Sequence, residues 1–206
     1  MEIKTISNEI SDMLIVSKSK FIAYLFPCDN KEEAKDILLK LKEMHIEATH
    51  ICYAYIINED NVLLYKANDD NEPSQTAGAP ILNVLRKNNL TNVLLAVVRY
   101  FGGIKLGAGG LTRTYSNAAA LVVKSAAIVT LKEALLYKIY FPYDKVKEID
   151  KILEINNIVI NKKEYDDNII YSLIIKDDEV VNDLKKKIEY LNVKFEKIDK
   201  IMIRTN

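Results

Sequence analysis

Apolar residues recur along this chain with two periods, and the change from one to the other marks out its elements. Phe21–Phe26 is a short apolar run that reads as a strand. Ala34, Ile37, Leu38, Leu41 and Met44 then return every three to four residues, which predicts a helix capped by Asp29 or Asn30. Thr49–Ile57 and Val62–Lys66 read as two strands joined across Asn58-Glu59-Asp60-Asn61, whose composition is that of a turn. A polar loop, Asn68–Pro73, leads to a helix expected to start at Ser74–Thr76 and to end near Asn88. Val93–Tyr100 is β-branched and apolar without alternation, the signature of a central strand buried on both faces. Gly102–Gly110 reads as a loop and the Ala-rich stretch to about Ala127 as a long helix. Another strand is expected to begin at Ile128–Lys132.

Beyond residue 135 the pattern becomes more regular. Leu135–Phe141 reads as a strand stopped by Pro142, and Asp144 opens a helix with Val146, Ile149, Ile152 and Leu153 inward. Strands follow at Ile158–Lys163 and Asn168–Lys176, separated by Asp166-Asp167. Asp177 or Asp178 caps a helix with Val181, Leu184, Ile188 and Leu191 on one face, and Val193–Ile203 closes as a strand. The order β-α-β-β-α-β is the ferredoxin-like pattern. An α+β protein of two domains is therefore expected, residues 1–134 and 135–206.

Composition adds exclusions. With 49% apolar and 28% charged residues in 206, the chain has an ordinary globular make-up and length enough for two cores. Its formal net charge of zero gives no global attraction to nucleic acid or to an anionic membrane. The longest apolar runs, Val93–Val98 and Ala118–Val123, are far short of a membrane span, and no apolar run follows a basic patch at the N-terminus. Cys28 and Cys52 make no CxxC motif and no disulfide framework. A cytoplasmic protein without membrane contact is the expectation.

The zero average hides one asymmetry. All six glycines lie between Gly78 and Gly110, and from Pro73 to Lys132 there is neither Asp nor Glu. The same stretch carries Arg86, Lys87, Arg99, Lys105, Arg113, Lys124 and Lys132, while Asp69, Asp70 and Glu72 stand just before it. Buried strands and Ala-rich helices exclude acids for packing reasons, but they do not call for the bases. Gly102 to Arg113 reads as a strand-to-helix turn. Glycine lets backbone approach a partner, and the following helix presents unpaired N–H groups and the positive end of its dipole. Lys105 before and Arg113 after make the Gly107, Gly109 and Gly110 turn a candidate site for a phosphate or carboxylate. The competing reading is close helix–sheet packing through Gly109, Gly110, Ala118 and Ala119. No nucleotide fingerprint fits. At the Walker spacing from Gly102 stands Gly107-Ala108-Gly109, and a Rossmann motif from Gly107 and Gly109 meets Thr112 instead of glycine.

Three segments carry a resemblance. His50-Ile51-Cys52-Tyr53-Ala54-Tyr55, Asp69 through Pro80, and Val97 through Leu111, with Ser19-Lys20-Phe21 before them, resemble the IMPACT/YigZ family over residues about 15 to 125. The resemblance implies a first domain like a small-subunit ribosomal protein and domain four of elongation factor G, a βαβ sandwich. It implies a second, ferredoxin-like domain similar to that factor's C-terminal domain. It also implies regulation of translation: eukaryotic relatives bind a kinase activator on the ribosome, and for bacterial members RNA or ribosome binding is inferred from fold. Asn71 and Gln75 stand where glycine is common in the family, and Ile51 where a polar residue such as Asn is usual.

Other constellations leave alternatives open. Asp70, Glu72, Ser74 and Thr76 offer oxygens to a divalent cation, or form a capped loop in which Ser74 or Thr76 satisfies helix N–H groups. His50 and Cys52 share one strand face and read as a hydrogen-bonded core pair before they read as ligands or nucleophile. Tyr100 and Phe101, beside Arg99 and Lys105, either stack on bases or cap the core. Lys185-Lys186-Lys187 reads as a solvated helix face. The reading these features favour is a non-enzymatic, cofactor-free protein that binds RNA, the ribosome or a translation-factor protein. The surface would comprise Arg99, Tyr100, Lys105, Gly107, Gly109, Gly110 and Arg113, with Asp70, Glu72, Ser74, Thr76 and His50 near it. The alternative is an enzyme acting on a phosphorylated or carboxylate small molecule in a cleft between Asp70–Thr76 and Gly107–Gly110.

Overall fold

The computed structural model describes residues 2–59 and 62–205, in two compact units, Ile3–Thr130 and Leu131–Thr205 with Glu2. The expected turn at 58–61 falls partly outside the described residues, at Asp60 and Asn61.

After a first short strand, β1 (Glu2–Ile6), comes an antiparallel sheet of β2 (Ile10–Val16), β3 (Ser19–Pro27), β6 (Val93–Tyr100), β4 (His50–Glu59) and β5 (Val62–Asn68), in that spatial order, on which the N-terminal unit is built. Helices α2 (Gly78–Lys87) and α3 (Gly107–Ser125) cover one face and α1 (Lys31–Met44) lies on the other. The unalternating run of β6 has the predicted consequence. Val93, Leu95 and Val97 enter the core under α2 and α3, while Leu94, Ala96 and Val98 enter the core under α1. Asn30 caps α1, its Oδ1 accepting from the Glu33 N–H at 2.8 Å. Strand β2, a mixed run (Ile-Ser-Asp-Met-Leu-Ile-Val), sends Ile10, Leu14 and Val16 against the core under α3 and leaves Met13 and Ile15 exposed.

Two boundaries differ from the sequence expectation. Helix α2 begins at Gly78, later than Ser74–Thr76, because its first N–H groups are capped from a distance. Asp69 Oδ1 accepts from Ala77 and Gly78, and Oδ2 from Gln75, at 2.8–2.9 Å. Ser74 is exposed, and the Thr76 hydroxyl donates to the Pro73 carbonyl, so neither acts as the cap. Helix α3 begins at Gly107, so Gly107–Gly110 form its first turn and only residues 101–106 are loop.

In the second unit β7 (Ile128–Phe141) is one strand where two had been expected, crossing Lys132 to Ala134 without a break. With α4 (Val146–Ile155), β8 (Val159–Tyr165), β9 (Ile169–Ile175), α5 (Asp178–Ile188) and β10 (Lys194–Thr205) it completes the β-α-β-β-α-β order. Strands lie in the order β10-β7-β9-β8, with Ile139, Phe141, Tyr171, Leu173, Ile149, Leu184 and Ile188 in the core. Asp177 Oδ1 caps α5 through the Val180 N–H.

Candidate functional site

One end of the N-terminal sheet collects the segments singled out in the sequence. There β2 turns into β3 at Ser17 and Lys18, β5 gives way to the Asp69–Ala77 loop, and β6 runs into residues 101–106 and α3. The 101–106 loop lies on the β2–β3 turn. A Cβ on Gly102 would fall 2.0 Å from the Lys18 backbone carbon, and the Gly102 N–H donates to Ser19 Oγ at 3.1 Å. Gly102 is thus a packing glycine. Gly107 opens α3 at φ +67° and would meet nothing if it had a Cβ. The same is nearly true of Gly109, whose Cβ would have only the Arg113 Nη1, 3.8 Å away. Close helix–sheet packing therefore does not account for the exposed glycines at the start of α3.

That start is left open. Leu106, at the N-cap, offers no side-chain oxygen, and no acid occupies the first turn. Lys105 and Arg113 are exposed on either side of it, and Phe101 and Ile104 are 46% and 45% exposed on the loop before it. Four amide donors, a dipole end and two cations converge there without a counter-charge.

The acids just upstream are all engaged inside the fold. Asp69 caps α2; burial raises its pKa, but the N–H groups of Gly78, Gln75 and Ala77 outweigh that and hold it below its ordinary value. Asp70 Oδ2 accepts the Ile51 N–H at 2.6 Å. Glu72 is buried, and its Oε1 accepts from Arg99 Nη1 at 2.5 Å and from the Tyr115 hydroxyl at 2.8 Å. Arg99, expected at the surface, is only 5% exposed. It lies on the same face of β6 as Val97, with its guanidinium 5.4 Å from the Phe21 ring and 5.5 Å from the Phe101 ring. The Arg99–Glu72 pair ties β6 to the Asp69–Ala77 loop and is part of the core.

The pair sits in a wider polar cluster. Cys52 Sγ reaches the Asp69 carbonyl at 3.0 Å and the Tyr115 hydroxyl at 3.4 Å. Burial pushes the Cys52 thiol up to about 12 and raises Tyr115 as well, so neither ionises near neutrality. His50 bonds the Asp70 carbonyl through Nδ1 at 2.7 Å, and its Nε2 stands 3.9 Å from Glu72 Oε1. It is the hydrogen-bonded core histidine of the blander reading. The Tyr100 hydroxyl shares a 2.7 Å hydrogen bond with His45 Nδ1, whose Nε2 meets the Tyr24 hydroxyl at 2.8 Å, so Tyr100 belongs to the α1 side of the sheet. No group of three or more His, Cys, Asp or Glu suited to a metal occurs among the described residues.

Of the predicted residues, Lys105, Gly107, Gly109, Gly110 and Arg113 come together at the exposed start of α3. Arg99, Glu72, Asp70 and His50 are joined to one another inside the fold, and Thr76 is buried apart from them with its hydroxyl on the Pro73 carbonyl. The family departures also find reasons. Asn71 is left-handed at φ +66° and Gln75 at φ +62°, conformations that glycine adopts without cost. Ile51 is buried in the core under α1. The residue that sequence reading missed was Tyr115, the second donor to Glu72. Its helical spacing to Leu111, Ala118 and Ala119 marked it as inward, but nothing linear tied it to Glu72.

Among the described residues no helix is long and apolar enough to cross a membrane. Residues 17–123 match the model of the Impact N-terminal domain. The chain is 36% identical over 166 residues to the IMPACT family member YvyE of Bacillus subtilis, covering 81% of this chain and 76% of that protein. It is 30% identical over 139 residues to the IMPACT family member YigZ of Escherichia coli, covering 67% and 68%. A crystal structure described as that of a hypothetical protein superposes with a TM-score of 0.68 at 23% identity, covering 96% and 98%, and so shares the fold. The exposed glycine-led helix start and the buried Glu72–Arg99 pair beneath it both lie within the matched segment, and the chain belongs to the IMPACT family.

Proposed function

We propose that the protein regulates translation without being an enzyme, by binding RNA or the ribosome through the start of α3. The observation that carries this is an imbalance of charge. Among the described residues, Lys105, Arg113 and the free amides of Gly107–Gly109 have no acid to satisfy them, whereas Asp69, Asp70 and Glu72 have all been drawn into the fold. A phosphate supplies the missing charge and accepts from backbone donors at close approach. Exposed Phe101 and Ile104 add apolar contact beside it. The translation part of the reading comes from the family resemblance, and the cytoplasm is the corresponding place of action. The enzyme alternative loses its candidate groups, since Asp70 and Glu72 are committed to the Ile51 amide and to Arg99 and Tyr115.

Co-sedimentation with purified ribosomal subunits at low salt tests the proposal. Lys105→Ala and Arg113→Ala are expected to reduce binding while leaving the fold intact. A folded protein that binds neither subunits nor their extracted RNA would overturn it. So would binding of a translation factor that nuclease treatment leaves unchanged.

A further inference from the structure

Helix α1 does not fill its face of the sheet. Between it and strand β4 runs a groove of about 350 Å³ whose helix wall carries Lys31, Lys35 and Lys42 and whose strand floor carries Tyr53 and Tyr55. The charges of α1 are segregated to make this wall. At about 100° per residue, Lys31, Lys35 and Lys42 fall within roughly 40° of one another, Glu32, Asp36 and Glu43 form a separate stripe roughly 100° away, and Glu33 and Lys40 lie together on the far side of the helix. Among the described residues lining the groove there is no acid. Lys31 pairs with Glu59 at 3.3 Å, and Lys35 and Lys42 have no ion-pair partner among the described residues.

The tyrosines are two residues apart on one strand, so they share a face and stand about 6.5–7 Å apart. Both are half-buried, and both pack against the core under α1. The lysines spread over about 16 Å of helix beside them. Paired rings on a sheet, flanked along their length by cations, suit a chain that offers flat bases on one side and phosphates on the other. An acidic peptide would satisfy the lysines but would make no comparable use of two rings.

We infer that the groove between α1 and β4 binds single-stranded RNA, with bases packed on Tyr53 and Tyr55 and phosphates held by Lys35 and Lys42. This site lies on the opposite face of the sheet from α2 and α3, so it stands or falls apart from the contact proposed at the start of α3.

The probe is fluorescein-labelled octauridylate, titrated with the full chain by fluorescence anisotropy at 50 mM salt and above. The Lys105→Ala/Arg113→Ala protein serves as background to silence the other surface. In that background octauridylate binding is expected to persist. Lys35→Gln/Lys42→Gln should lower the slope of log affinity against log salt by about 1.4, at about 0.7 per lost phosphate contact. Tyr55→Leu should weaken binding roughly 5- to 150-fold and Tyr55→Phe far less. Unchanged circular dichroism and melting temperature will show that each variant is folded. Absence of octauridylate binding in the background protein overturns the inference, and so does binding indifferent to the groove variants. A polyglutamate dodecapeptide that binds, weakens on Lys35→Gln/Lys42→Gln and is not displaced by octauridylate would make the groove a peptide site instead. Loss of subunit binding in Lys105→Ala/Arg113→Ala with retained groove binding would uphold both readings.

Discussion

Replacing Arg99 by methionine keeps most of the side-chain volume and removes the charge that Glu72 faces. Glu72 is 8% exposed and, among the described residues, would retain only the Tyr115 hydroxyl as a close partner, with His50 Nε2 3.9 Å away. Breaking one side of a buried pair costs about 3–5 kcal/mol, because the remaining charge stays desolvated. The loss of Arg99 Nε adds nothing to this, since that atom is buried with no hydrogen-bond partner among the described residues. Set against a total of about 5–15 kcal/mol for a domain, the change is large. Urea unfolding at pH 7, followed by far-ultraviolet circular dichroism, should show the N-terminal transition moving to a much lower midpoint. Glu72→Gln/Arg99→Met should be less destabilised than Arg99→Met alone, since no buried charge is then stranded. A single variant within about 1 kcal/mol of the parent would refute the reasoning and return Arg99 to the surface.

Other substitutions separate the roles that one glycine-rich motif combines. Gly102→Ala forces a Cβ into the Lys18 backbone and should cost at least about 3 kcal/mol or prevent folding, whereas Gly109→Ala meets open space and should stabilise α3 by up to about 1 kcal/mol; urea midpoints distinguish the two. Gln75→Gly relieves a left-handed backbone at φ +62° and keeps the amide bond to Asp69, so it should stabilise by about 0.5–1 kcal/mol in the same assay. Asp69→Asn should cost about 1 kcal/mol near neutrality, where the carboxylate caps α2. Because the folded pKa of Asp69 lies below its ordinary 3.8, that advantage is complete above the unfolded value and is lost as pH falls through the folded one. Parent and variant stabilities should therefore converge below pH 3.8.

Elements were legible wherever burial imposed a period on the sequence. The run of β6, the inward face of α1 from Ala34 to Leu41 and the β-α-β-β-α-β order after residue 135 all follow from apolar spacing. Met44, expected on that same face of α1, is instead 66% exposed as the last residue of the helix. What misled was charge read along the line. Arg99 counted toward a basic stretch, yet strand alternation already put it on the side of Val97, facing the core under α2 and α3. Its partner lies 27 residues away, a distance that no local pattern bridges. The start of α2 was misjudged for a related reason, since the cap arrives from Asp69 and not from the adjacent Ser74 or Thr76. Strand β2 was unread because Ile10–Val16 mixes apolar and polar residues at neither period. The candidate site was half legible: Lys105, Arg113 and the glycines stand where the motif suggested, and the acids beside them have turned inward.

The most direct test of the binding claim is the salt dependence of affinity for purified ribosomal RNA, measured for the parent, Lys105→Ala, Arg113→Ala and Lys124→Ala. The account predicts that Lys105→Ala and Arg113→Ala each weaken binding and each lower the slope of log affinity against log salt by about 0.7–0.9, whereas Lys124→Ala, at the far end of α3, changes neither. Equal slopes for all four proteins would contradict it.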